Sequence, residues 1–208
     1  MFKNRQDAGE RLAQKLVAAY GGRNDVIVLA LPRGGVVLGR IVADRLKAPL
    51  DIVVPRKIGA PGNAEYAIGA ITETGEAVWN EPERLMAGDA YIAAAVAKEK
   101  AEAQRRLEKY RPGRSELDLH DRTALIVDDG IATGLTVRAA LQTVRRLGAA
   151  KVVIAVPVAA AGTAAELGEV ADDLVALMTP DELMSIGAYY SEFSQVTDDQ
   201  VTALLAGR

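Results

Sequence analysis

The chain has 208 residues, no cysteine and a single histidine, His120. Lacking cysteine, it has no disulfide framework, thiolate nucleophile or zinc–thiolate cluster, and one histidine is too few for a multi-histidine metal centre. Lysine plus arginine total 25 against 28 acidic residues, and a net charge of −3 gives no electrostatic case for wrapping nucleic acid, though it leaves room for a small anion.

Half the residues are apolar and a quarter are charged, which is ordinary globular usage. A chain of this length buries roughly 70% of its unfolded surface, so residues 1–208 are expected to form a single domain without staples. The opening MFKNRQDAGERL has no apolar core of the kind a signal peptide needs. The greasiest stretch, Val152 to Ala161, contains Pro157 and is half the roughly 20 residues of a membrane span. A cytoplasmic protein without membrane contact is expected.

In chain order, apolar runs too short for buried helices occur at 26–31 (VIVLAL), 51–54 (DIVV), 124–127 (ALIV), 151–156 (KVVIAV) and 173–177 (DLVAL). Continuous apolarity rich in valine and isoleucine suits parallel strands covered on both faces. A helix is expected from Gly35 to Leu46, with Val36, Val37, Ile41 and Val42 turned inward. Another should run from Leu135 to Leu147, with Val137, Ala140, Leu141, Val144 and Leu147 on one face and Gly148 just past its end. Strand, helix, strand in this rhythm gives an α/β fold, an open, mainly parallel sheet flanked by helices, with a core over about 25–180.

Two regions break the rhythm. Asp89 to Arg111 reads as one long helix with a narrow apolar stripe (Ile92, Val96, Ala103, Leu107, Tyr110), either a solvated surface helix or one lent to a dimer contact or an active-site cover. A charged linker follows to 122, with His120 read as a surface residue. Residues 178–208 make a candidate hood, with a possible contribution from 1–24. The trio Tyr189, Tyr190 and Phe193, three of nine aromatics in the chain, either stacks on a base or packs against the sheet.

Chemistry concentrates in LIVDDGIATGLT, 125–136. A buried strand delivers Asp128 and Asp129 to its carboxyl end, where open α/β sheets bind ligands. Successive strand residues point to opposite faces, so both acids meet one ligand only if the chain bends at Gly130. Paired carboxylates suit a vicinal diol and would face positive charge developing on a sugar ring. Residues Ala132, Thr133, Gly134, Leu135 and Thr136 form a phosphate cradle, with amides at a helix N-terminus, two hydroxyls and a glycine for close approach. Helix capping by the acids is the competing reading. The spacing fits neither a P-loop nor a dinucleotide fingerprint.

Two further segments carry anion chemistry. In LPRGG, 31–35, the paired glycines Gly34 and Gly35 open a helix beside Arg33, which makes either a diphosphate seat or an ordinary strand-to-helix turn. At 55–69, PRKIGAPGNAEYAIG places Arg56 and Lys57 at another strand end, ahead of a loop rich in glycine and proline.

Together these segments resemble the type I phosphoribosyltransferases, whose phosphoribosyl pyrophosphate (PRPP) motif has the form of 125–136. The resemblance places Asp128 and Asp129 on the ribose hydroxyls and 130–136 around the 5-phosphate. It makes 31–35 the pyrophosphate loop, and 57–69 a mobile catalytic loop in which Glu65 is a candidate proton donor or acceptor, or a plain surface glutamate. Ala132 stands where hypoxanthine-guanine enzymes carry a carboxylate, so that base is missing. The resemblance implies transfer of ribose 5-phosphate from PRPP to a small heterocyclic, purine-like base. It further implies Mg2+ held mainly by PRPP and water with no direct protein ligand, and a homodimer. A regulator that senses PRPP or a nucleotide is the other reading. Some such regulators bind nucleic acid, and Arg105, Arg106 and Arg111 would form the basic patch.

Overall fold

The computed structural model describes residues 1–113, 115 and 117–207. Residues 114 and 116 of the expected linker and 208 of the expected hood lie outside the described residues. The chain opens with α1 (Arg5–Tyr20), β1 (Val26–Ala30), α2 (Gly34–Leu46) and β2 (Leu50–Ile52). Next come β3 (Arg56–Ala60), β4 (Asn63–Ile71), β5 (Ala77–Trp79), α3 (Glu81–Ala87) and α4 (Asp89–Tyr110). It closes with β6 (Thr123–Val127), α5 (Leu135–Arg146), β7 (Lys151–Val158), α6 (Ala161–Val170), β8 (Asp173–Met178) and α7 (Asp198–Leu205). A 3-10 turn, Ile186–Tyr189, lies before α7.

All five apolar runs are strands of one parallel sheet of order β2-β1-β6-β7-β8. Val28 lies opposite Leu50 on one side and Leu125 on the other, and Leu125 opposite Val153. Their continuous apolarity follows from burial on both faces. Val26, Val28, Leu125, Val127, Val153 and Ala155 pack with Leu12 and Leu16 of α1 and Leu38 and Val42 of α2. The alternate residues Ile27, Leu29, Ile126 and Ile154 pack with Val137, Ala140 and Val144 of α5. The inward faces expected of both helices are found there, and Gly148 takes the positive φ of a residue just past a helix end. None of the helices is long and apolar enough, among the described residues, to cross a membrane.

The segment at 57–69, expected as a loop, is instead most of a three-stranded antiparallel sheet, β3-β4-β5. Strands β3 and β4 turn around Pro61–Gly62, with Ala60 opposite Asn63 and Gly62 at φ 76°, the conformation that the third residue of a type II turn requires. Ile58, Ile68 and Ile71 of this sheet are fully buried against Trp79 and against Tyr91, Ile92 and Val96 of α4. The stripe on α4 is therefore a seam: its first half covers the small sheet, while Ala103 and Tyr110 enter the main core.

A cluster of hydroxyls fixes the small sheet to α5. The Thr72 and Thr143 side chains are buried and lie 2.7 Å apart, with Thr74 within 3.3 Å of Thr143. Replacing Thr143 with valine keeps the shape and removes both bonds, which should cost about 1–2 kcal/mol. The midpoint of urea unfolding at unchanged slope measures it; an unmoved midpoint would remove this cluster as a tie.

Candidate active site

Strand order reverses direction between β1 and β6, because β1 connects to β2 on one side while β6 leads away on the other. Open α/β sheets bind ligands in the crevice at such a point. A cavity of about 750 Å³ opens there. Its floor is Leu31 to Gly34, after β1, and Asp128 to Gly134, after β6; its far wall is Tyr91, Lys98, Glu99 and Arg106 of α4.

The acids sit where the sequence places them, just past β6, and both line the cavity. Asp128 accepts a hydrogen bond from the Asp129 amide at Oδ1, 2.8 Å. Asp129 accepts one at Oδ2 from Arg5 Nε, 2.7 Å. Burial and the neighbouring Asp129 charge push Asp128 well above the usual carboxylate range. Burial also raises Asp129, and the Arg5 guanidinium opposes that rise. Among the described residues, Asp128 Oδ2 and Asp129 Oδ1 have no donor from outside the pair.

The two glycines of 31–35 are required by this closeness. A Cβ on Gly34 would lie 1.9 Å from Asp129 Oδ2, and one on Gly35 would lie 2.7 Å from the Val127 carbonyl oxygen. Only bare backbone lets the start of α2 touch the end of β6. The Pro32–Arg33 peptide bond ahead of them is cis.

Beyond the acids, Ile131 donates its amide to the Val158 carbonyl, 2.9 Å, which pins the start of the loop to β7. The backbone N–H groups of residues 132–136 make no hydrogen bond to any described residue. The Thr133 and Thr136 hydroxyls are likewise unbonded among the described residues, and both residues line the cavity. Gly134 caps α5 at φ 75°, a left-handed conformation costly for other residues. Orphan amides at a helix N-terminus facing a polar cavity are an anion seat.

Cations surround this floor. Arg56 is held by Glu99 at 2.8 Å, and Arg33 lies 3.7 Å from Asp198. Lys57 is exposed in the cavity, with no ion pair among the described residues. No group of three or more described His, Asp or Glu residues is placed to hold a metal ion.

The phosphoribosyl transferase domain family matches residues 2–177. The chain belongs to that family. Proteins from two strains of Mycobacterium tuberculosis, provisionally named phosphoribosyl transferases, are 45% identical over 209 residues. That match takes in 99% of this chain and 46% of theirs, so the chain spans about half the length of these curated relatives. A solved Thermus thermophilus protein is 42% identical, covering 99% of this chain and 98% of its own, with a TM-score of 0.81. A protein of Aquifex aeolicus, 14% identical over 83% of this chain and 73% of its own at a TM-score of 0.51, shares the fold.

Within this phosphoribosyl transferase domain some expected residues lie elsewhere. Gly35 and Leu135 do not line the cavity: Gly35 is pressed on the end of β6, and Leu135 is buried against Ala70 and Ala139. Glu65 is exposed on β4 at the cavity wall. None of the rings of the aromatic trio lines the cavity, and Tyr190 takes the packing alternative in the main core. Tyr190 is buried between Phe2 and Phe193, ring centres 5.4 and 4.9 Å away, and its hydroxyl donates to the Asp129 carbonyl at 2.6 Å. Tyr189 points its hydroxyl toward the Glu182 carbonyl, and Phe193 stacks under Arg5. What the C-terminal segment brings to the cavity is Ile186, which packs over Gly130. The long helix takes the active-site-cover alternative, whereas Arg5 went unforeseen because nothing local marks it; it is 124 residues from its partner.

A methyl group at Gly34 should disrupt the Asp129–Arg5 contact and cost about 1–3 kcal/mol of stability. Gly168 is the internal control, since a Cβ there meets nothing within 4 Å and lies inside α6. Gly168→Ala should stabilise by about 0.5–1 kcal/mol. Equal unfolding midpoints for the two variants would contradict the packing at Gly34.

Proposed function

We propose that this phosphoribosyl transferase domain transfers ribose 5-phosphate from PRPP to a ring nitrogen of a small heterocyclic base and releases pyrophosphate. The observation that carries the reading is the pairing, on one cavity floor, of two acids that each keep an oxygen without a donor from outside the pair and a run of unbonded amides at Ala132, Thr133, Gly134 and Thr136. A vicinal diol needs two acceptors and a phosphate monoester needs a ring of donors. Their separation along the chain matches the reach of a ribose 5-phosphate.

In this reading the ribose hydroxyls donate to Asp128 and Asp129, and the 5-phosphate sits on the amides and hydroxyls of 132–136. The amides of Gly34 and Gly35, with Arg33, Arg56 and Lys57, receive the pyrophosphate. The bond from C1 to the pyrophosphate oxygen breaks ahead of attack, leaving positive charge on the ring that the two acids face across a low-dielectric site. The base nitrogen then closes on C1 and its proton leaves to solvent or to Glu65. Ile186, packed over Gly130, offers an aliphatic surface for a flat ring.

A purine-like acceptor is favoured by the resemblance of the anion loops and by that surface. Magnesium would be carried by diphosphate oxygens and water, since no group of three or more described acids or histidines is placed to hold it directly. Bound there, it would neutralise charge building on the departing diphosphate. The regulatory reading is less favoured, because its basic patch is partly neutralised: Arg105 and Arg106 share Glu102, and Arg111 pairs with Asp51.

Pyrophosphate release from PRPP with magnesium, against a panel of purine and pyrimidine bases, tests the proposal. Turnover with at least one base is expected, and Asp129→Asn should lose on the order of 3 kcal/mol of transition-state stabilisation, about a hundredfold. Absence of both PRPP binding and turnover in the folded protein would overturn it.

A further inference from the structure

The strongest contact on the acid pair comes from a residue with no role so far. Arg5 is the first residue of α1, whose start is fixed by Asn4 accepting a hydrogen bond from the Asp7 amide, 3.1 Å. Its guanidinium is held three ways. Nε donates to Asp129 Oδ2 at 2.7 Å, Nη1 donates to the Ser194 carbonyl at 2.6 Å, and the Phe193 ring centre lies 3.8 Å from Cζ. Only about an eighth of either ion-paired side chain is exposed.

We propose that Arg5 is a positioning residue of this site, holding the Asp129 carboxylate against the start of α2 before a ligand arrives. The proposal rests on the reading of the cavity floor as the seat of a sugar phosphate. It also gives the aromatic residues of the C-terminal segment their work. Phe193 is the platform on which the guanidinium lies, Tyr190 packs against Phe193, and the Tyr190 hydroxyl fixes the Asp129 backbone. An arginine stacked on a ring, bonded to a carbonyl and paired with a carboxylate has no freedom to leave when a ligand arrives. Asp129 is therefore oriented before binding, with Oδ2 spent on Arg5.

Two adjacent buried carboxyls cannot both carry charge cheaply, and an added cation decides which does. The groups in contact with Asp129 are Arg5 from α1, Asp128 beside it and the Tyr190 hydroxyl on its carbonyl, while Arg33 and Arg56 line the same cavity. Lys57 of β3 acts on Asp128, and Glu65, Lys98, Glu99 and Arg106 line the same cavity from β4 and α4. Arg5 is the one of these cations that bonds the acid directly, so its removal must leave the pair harder to ionise.

The test compares wild type with Arg5→Gln, Arg5→Lys and Phe193→Leu. Carboxyl carbon NMR titration of the aspartates needs no turnover. In Arg5→Gln the site midpoint should move to higher pH, in Arg5→Lys it should stay near wild type, and in Phe193→Leu it should move the same way by less. With PRPP and an active base, Arg5→Gln should lose on the order of 10–100-fold in kcat/KM, by analogy with residues that orient a ligating group. The acid limb of its pH profile should also move upward, and lysine should rescue that limb. An unmoved titration in folded Arg5→Gln, or glutamine and lysine variants that titrate alike, would overturn the proposal. A wild-type protein without PRPP binding or turnover would defeat the sugar-phosphate reading instead, while the titration would still decide whether Arg5 governs the pair.

Discussion

The start of α2 rests directly on the carboxyl end of β6 because positions 34 and 35 carry no side chain. A single methyl group at Gly34 would occupy the space of an Asp129 oxygen, and one at Gly35 would press on the Val127 carbonyl. That contact sets the distance between two anion seats, the amides heading α2 and the orphan amides of 132–136, with the acids between them. Separate those ends by the thickness of one alanine, and the cavity no longer offers donors, acceptors and donors in a row at the spacing of one ligand. The parallel sheet supplies the rest of the rigidity, since β1 and β6 are adjacent and in register from Val26 opposite Thr123 to Ala30 opposite Val127.

Charge in the cavity is arranged so that the empty site is tolerable. Five cationic side chains and four carboxylates line it among the described residues. Most are already paired: Arg56 with Glu99, Asp129 with Arg5, Arg106 with Glu102, and Arg33 loosely with Asp198. Asp198 shows how firm such links are, since the Tyr110 hydroxyl and Lys109 hold its carboxyl down to about 2. A polyanionic ligand can draw Arg33, at 3.7 Å and a third exposed, without dismantling a tight pair. Arg5 is the opposite case, locked from three sides. The site thus divides its cations into some locked in close pairs and some held loosely or without an ion pair among the described residues.

Much of the fold is legible in the sequence because parallel strands buried on both faces announce themselves as short unbroken apolar runs, and all five such runs are strands of the main sheet. The small sheet is not legible in the same way. Its strands are interrupted by Gly59, Pro61, Gly62 and Gly69, so the stretch reads as a loop, although Pro61–Gly62 is a turn signal between two strands. The acids and the cradle are legible because they are contiguous and their chemistry is carried by residue type and backbone. Arg5 and Phe193 are not, since they act across the whole length of the chain. The aromatic trio shows the limit of composition: three rings in five residues mark an apolar cluster, and only packing decides that Tyr190 turns inward beneath Asp129 instead of out toward a base.

The division between core and insertion has a chemical consequence. On the proposed reading, the sugar-phosphate and pyrophosphate seats consist of backbone amides, two missing side chains and a pair of acids at strand ends, so they are fixed by the geometry of the sheet. The far wall comes from what is inserted between β2 and β6: the small sheet with Glu65, and α4 with Tyr91, Lys98, Glu99 and Arg106. That wall is tied to the core through side chains, by the hydroxyls of Thr72 and Thr143 and the seam along α4. A donor common to many acceptors belongs on a backbone floor that substitution barely touches. The acceptor, which differs from one chemistry to another, belongs against side chains, where one exchange alters shape or charge without disturbing the floor. Tyr91 is the only aromatic lining the cavity among the described residues, and its hydroxyl is spent on the Gly59 carbonyl at 2.8 Å. On the proposed reading, a ring here would meet Ile186 and the charged wall, not an aromatic sandwich.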